Sequence, residues 1–313
     1  MGIFGGNYMK EGPGVSKNEK KKRGFFLYVD IIVQKFTKIL GTNMLYALVS
    51  LPYLLLCYYI LSRFVLVGFG ADKLIELTVE SIGGTEEETA ASLQYFYFLF
   101  WSMVTILLFN FFGSGPASAS YAYIMRCYTR GEHAWILSDG WDKFKENLKQ
   151  SILILLIDIV VILLGSNAIS FYRAFAQQMQ GGMATLFSMI QYFTVVVMFL
   201  YMMMHMYIYQ IMVTYDCKFS ELIKASAMMT LAKLPMSVLL TAISMGIIML
   251  MFLTIGNPML SIILYVVLGI MLFRYPFEFY ASRVIEKNIK AVKKANKNNE
   301  PKITYLEEEE EIQ

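Results

Sequence analysis

The chain has 313 residues, of which 57% are hydrophobic and only 16% charged, with a mean hydropathy of +0.52. A soluble domain of this size would have too little polar surface to cover such a core, so a soluble globular class is excluded. The net charge of +3 hides a strong asymmetry along the chain.

Residues 1–24 are rich in Gly, Lys and Asn and include Lys20-Lys21-Lys22-Arg23. They read as a disordered basic tail that anchors on one side of a membrane, not as a nucleic-acid patch. This hydrophilic stretch precedes the first apolar span, which argues against a cleaved signal peptide. In residues 25–40, Phe25, Val29, Ile32, Val33, Phe36 and Leu40 share one helical face, while Asp30, Gln34, Thr37 and Lys38 share another. That pattern predicts an interfacial amphipathic helix.

The apolar residues then come in blocks about one bilayer long. Spans are expected at about 42–67, 93–112, 151–169, 185–213, 237–255 and 259–280. An acidic loop, 69–92, joins the first pair, a loop holding Arg173 the second, and a Gly256-Asn257-Pro258 turn the third. Polar segments 113–150 and 214–236 lie on the opposite side, with a tail 281–313 that is basic and then acidic. The chain is therefore read as an all-α polytopic membrane protein with one six-span domain, 25–280, between two tails. Of the 27 Lys and Arg residues, 23 lie in the N-terminal region, the two polar segments and the C-terminal tail. By the positive-inside bias, both termini are expected in the cytoplasm.

The two polar segments look weakly alike. Glu132 precedes Trp135 as Asp216 precedes Phe219, and Leu148-x-x-Ser151 matches Leu234-x-x-Ser237. An internal repeat of span, polar helix and span would produce this.

Segment 113–150 organises the rest. Gly113 and Gly115 let the backbone bend, and Pro116 lacks an N–H and suits a helix start or a kink, so Gly115 and Pro116 are the expected hinge. On this reading, Pro116→Ala would let the second span run on as straight helix. Ala117, Ser118, Ala119 and Ser120 permit close helix approach. The segment then becomes amphipathic, with Trp135, Ile136, Trp141, Phe144 and Leu148 facing lipid and Lys143, Lys145 and Lys149 facing headgroups. Arg126, Arg130, Trp141 and Lys145 are the expected contacts to lipid or to a partner.

Gly115-Pro116-Ala117, Arg126, Arg130-Gly131-Glu132 and the run Phe144-Lys145-Glu146-Asn147-Leu148-Lys149-Gln150 resemble the YesL-like family of bacterial integral-membrane proteins. The resemblance implies a six-span protein of the bacterial cytoplasmic membrane and an accessory role beside carbohydrate uptake, with a carbohydrate transporter subunit as partner. It supplies no catalytic residues.

Composition supplies none either. His133 and His205 lie in different segments, and no Walker A, H-E-x-x-H or G-x-S-x-G pattern occurs. The three cysteines, Cys57, Cys127 and Cys217, form no C-x-x-C pair, so neither a zinc site nor a disulfide framework is expected. Met198, Met202 and Met206 form a stripe beside His205, which reads as adaptable packing before it reads as a copper path. No enzyme activity, cofactor or metal is expected. The remaining candidates are charges inside spans. Asp158, His205 and Arg274 fall at similar depths, roughly 9–12 Å from one membrane face at 1.5 Å per residue. They are expected to form one intramembrane polar cluster, with Asp158 and Arg274 compensating each other. Two functions follow: a non-enzymatic accessory or scaffold protein that contacts membrane lipid, or a small transporter with an inward-opening polar cavity.

Overall fold

A computed structural model of the chain describes residues 24–64, 76–77, 79–81, 83 and 85–296. The expected N-terminal tail, the first part of the acidic loop and the acidic end of the C-terminal tail lie outside the described residues. The described chain is all-α and supplies six helices long and apolar enough to cross a membrane. They are α2 (Phe36–Phe64), α3 (Glu86–Phe112), α6 (Leu148–Gln178), α7 (Gly182–Met212), α9 (Leu234–Ile255) and a final composite helix. The last begins as α10 (Pro258–Leu264), passes through a π-helical run (Tyr265–Arg274) and continues as α11 (Tyr275–Asn296).

The remaining helices gather at the end of the bundle where α2, α6 and α9 begin. They are α1 (Phe25–Gln34), α4 (Pro116–Arg130), α5 (Ser138–Glu146) and α8 (Phe219–Ala232). Local chemistry sets these boundaries. Thr85 and Glu88 form a reciprocal capping box that starts α3. Gly131, at φ 83°, ends α4 in a left-handed cap, with its N–H on Tyr128 and that of Glu132 on Cys127. Asn257 caps α10, whose first residue is Pro258.

The spans turn apolar side chains outward: Leu48, Leu164, Phe193 and Leu253 are 64–68% exposed. Such surface suits a lipid solvent, in which only internally hydrogen-bonded helices and closed barrels can cross. The bundle's best-buried part is at the polar-segment end, where twelve of the fifteen residues of α4 are buried. α4 packs against α2, α5, α6, α7 and α11.

Several expected boundaries move. The interfacial helix ends at Gln34, and after a break at Lys35 residues 36–40 open the first span. Phe25, Phe26, Val29, Val33 and Phe36 do form an exposed apolar stripe, while Ile31 is buried and Tyr28 stacks on Tyr275 at 5.4 Å. Arg173 lies within α6, not in a loop. The basic part of the C-terminal tail continues the sixth span as helix to Asn296.

The weak repeat has a structural counterpart. α5 passes through the single residue Asn147 into α6, and α8 passes through Lys233 into α9. Ser151 and Ser237, both fully buried, then sit at matching positions in the first turn of each span.

Candidate functional site

Two groups of buried polar side chains occupy the polar-segment end, and the first is built around a break after α3. α3 stops at Gly113, which has φ 76°. A Cβ there would collide with Ser118 Oγ and lie 2.8 and 3.0 Å from the Arg274 guanidinium nitrogens, so only glycine admits the arginine. Arg274 Nη1 donates to the carbonyls of Phe109 and Asn110, each at 3.2 Å. These belong to the last turn of α3, which carries the negative end of the helix dipole; the Phe109 carbonyl also accepts from the Gly113 N–H at 2.9 Å. The guanidinium also lies over the rings of Tyr46 (5.1 Å) and Tyr121 (5.8 Å).

The carboxylate beside Arg274 is Glu278, one helical turn on, with 3.7 Å between Nε and Oε1. Glu278 Oε2 accepts from Gln210 Nε2 at 2.7 Å, and the same amide donates to the Ala122 carbonyl at 2.9 Å. One network thus ties α3, α4, α7 and the final helix. Asn110 extends it, donating to Ser244 Oγ (3.1 Å) and accepting from Tyr265 Oη (2.9 Å).

The second group lies between α6 and α7. Asp158 Oδ1 accepts from Tyr201 Oη at 2.7 Å and lies 2.8 Å from His205 Nε2. The histidine N–H does not point along that line, so this is a close contact and not a formed hydrogen bond. The rings of His205 and Phe112 lie edge to face, with 4.8 Å between their centroids. Asp158 is 1% exposed and His205 4%.

The expected three-residue cluster is therefore two clusters. Asp158 and His205 do meet, but Arg274 does not pair with Asp158; its carboxylate is Glu278. Matched depth placed the three on one level and left their azimuth open, and the i,i+4 carboxylate on Arg274's own helix was overlooked. Met198, from the methionine stripe, packs its thioether where a Cβ on Gly165 of α6 would stand, and Met202 and Met206 are buried.

Arg126 is not a surface contact. It is 9% exposed and donates to the Val213 carbonyl at the end of α7, at 3.2 Å. Arg130 forms a 2.9 Å ion pair with Glu132. Trp141 is exposed, and Lys145 lies over its ring at 5.9 Å while pairing with Asp142. Gly115, at φ 66°, and Pro116 at the first position of α4 form a packed break. A Cβ on Gly115 would lie 3.0 Å from Leu155 Cδ1 and 3.1 Å from the Ser151 carbonyl. With two left-handed glycines ahead of it, Pro116 starts α4 and is not what stops α3. Outside the spans, burial raises the Cys127 and Cys217 thiols above the ordinary range.

The sequence reading missed Gln210, Tyr201, Asn110, Asn43 and the π-helical run. In the orientation that satisfies its amide, Asn43 donates to Tyr121 Oη and the Ile39 carbonyl and accepts the Met271 N–H at 3.2 Å, inside that run. An asparagine or glutamine within an apolar span was the available signal.

The helices and their lipid-facing surface define an all-α polytopic membrane protein. Residues 96–167 match the family model described as "Protein of unknown function, DUF624". The YesL-like proteins are DUF624 members, and the match covers the whole motif, 115–150, that carries that resemblance. No curated protein and no solved structure matches the chain.

Proposed function

We propose that the protein is a non-enzymatic accessory or scaffold component of the membrane, with both termini in the cytoplasm and a carbohydrate transporter subunit as its partner. The observation that carries this reading is the internal pairing of the buried charges. Asp158, Arg274 and Glu278 are at most 5% exposed, and each is held by side chains or carbonyls of the bundle. A bundle whose charges hold its own helices together serves as a rigid platform. Its outward features are the apolar stripe of α1 and the aromatic–basic surface around Trp135, Trp141 and Lys145. The carbohydrate setting comes from the family resemblance alone.

Crosslinking in native membranes followed by purification of the full chain tests this. Recovery of a transporter subunit at defined stoichiometry, attached through residues of α5, supports it. Solute flux in proteoliposomes holding this chain alone would overturn it. The transporter reading has one observation of its own, the ten-residue π-helical run in the sixth span, because π-helical segments concentrate at functional sites. Flux abolished by substitutions at Asn43 would select that reading.

A further inference from the structure

Between α2, α4 and α5 lies a cavity of about 250 Å³. Leu45 and Val49 of α2, Ala117 and Ile124 of α4, and Trp141 and Phe144 of α5 form much of its wall. Four hydroxyl-bearing residues also line it, and each hydroxyl is already engaged by the protein. Thr42 donates to the Lys38 carbonyl (2.8 Å), and Ser120 donates to the Gly140 carbonyl (2.7 Å). Tyr46 shares a hydrogen with Ser118 (3.0 Å), and Tyr121 lies 3.1 Å from the Asn43 amide. An occupant therefore meets hydrocarbon and ring faces, which select an apolar ligand.

The surroundings indicate its source. Thr42 to Val49 covers roughly 10 Å of α2 at 1.5 Å per residue. At one end the cavity reaches Val49, which adjoins the lipid-facing Leu48. At the other, its lip is Leu137 and Trp141, both exposed. Lys38, exposed, sits one turn before Thr42 on the same face of α2, where its ammonium can meet the phosphate of a lipid whose chain enters the cavity. The volume falls just below the ~300 Å³ at which whole-ligand pockets begin, enough for part of one chain and not for a headgroup.

We propose that this cavity binds one acyl chain of a membrane phospholipid, taken from the leaflet that holds α1 and α5. The chain would lie along α2 from the Lys38 level toward Val49 and stack on Trp141. A lipid held there fixes α5 against the bundle, so lipid composition would tune the surface proposed above for partner contact. The site thus rests on the lipid-facing placement of α5 in that reading.

The test uses the full chain in vesicles containing a phospholipid with a photoactivatable diazirine midway along one acyl chain. Adducts are mapped by mass spectrometry. The expected result is enrichment on Leu45, Val49 and Ala117 over the lipid-facing Leu48 and Leu55. Leu45→Trp, which fills the cavity, should lower these adducts several-fold, while Leu48→Trp leaves them unchanged. Val49→Phe serves in its place if Leu45→Trp does not fold. Adducts spread evenly over the outer faces of the spans, or unaffected by filling, overturn the site. Protein–protein crosslinks from the same residues would give the groove to a second copy or a partner and also overturn it. Trp135, exposed and outside the cavity wall, separates the two claims. If it is labelled while the groove is not, only the site fails; if it too is unlabelled, the placement of α5 fails with it.

Discussion

Neutralising Glu278 and Arg274, singly and together, tests where the bundle compensates its buried charge. The pair is 3.7 Å apart, a separation at which unit charges attract by about 4 kcal/mol at an effective dielectric near 20. In Glu278→Gln, Arg274 keeps two α3 carbonyls and two ring faces. Its loss should fall below the ~3–5 kcal/mol of a fully stranded buried charge, at about 2–3 kcal/mol. Arg274→Gln is worse, about 3–5 kcal/mol, because it leaves Glu278 with Gln210 alone and takes the guanidinium from the Phe109 and Asn110 carbonyls, of which Phe109 keeps the Gly113 N–H. The double variant strands neither charge and should recover about 1.5–3 kcal/mol of the summed losses. Denaturant unfolding of detergent-purified protein supplies all four corners of the cycle. The same cycle on Asp158→Asn with Arg274→Gln should be additive within ~0.5 kcal/mol, since the two share no hydrogen-bond partner. Additivity in the first cycle and strong coupling in the second would refute the assignment of partners.

Gly115→Ala should destabilise by about 1–3 kcal/mol, because φ is 66° and the added methyl meets Leu155 and the Ser151 carbonyl; Pro116→Ala should cost under ~1 kcal/mol, and the reverse order in a thermal melt would count against the packed break. Tyr201→Phe should cost about 1–3 kcal/mol through the lost bond to Asp158, and an unchanged melting temperature would mean the hydroxyl is not needed there. Cysteine probes at Glu87 and Gln178 should label from one side of the membrane and probes at Ser138 and Ser220 only from the other; the positive-inside count makes the first pair external, and external labelling of Ser138 would invert the topology. Burial first, and then Glu221 and Asp216, raise the Cys217 thiol, so the thiol form persists to higher pH. Its maleimide labelling should be slower than that of a free cysteine at neutral pH, with the rate profile displaced toward alkaline pH and drawn partly back by Glu221→Gln. A profile matching a free thiol would contradict this.

The six spans were legible because bilayer thickness imposes a length that apolar runs display directly. Their ends were not, since Arg173 and the basic residues after Tyr280 look like loop yet continue as helix. The larger miss was α4. Its sequence, with Arg126, two serines and three tyrosines, reads as interfacial by polarity. Polarity measures how a segment would fare against lipid, and α4 meets protein instead: the Val213 carbonyl, the Gln210 amide and the hydroxyl of Tyr46. The run Ala117-Ser118-Ala119 did signal close approach, but periodicity alone could not name the neighbours. Asp158 and His205 stood out because intramembrane charge is rare, whereas Tyr201 looked like any span aromatic.

The burial of α4 also sets an order of assembly. Its polar partners Gln210 and Val213 follow it by more than 80 residues, and Arg274, seated against the α3 end just before it, comes later still. During synthesis α4 emerges before the Gln210 amide and the Val213 carbonyl that will meet Ala122 and Arg126. It must wait in the interface, wetted by water and headgroups, until α7 arrives, and the Gly113 notch stays empty until Arg274 enters it. The sixth span is thus the keystone of the first half, and a chain lacking it would retain its early spans while leaving the Gly113 notch unfilled beside α4.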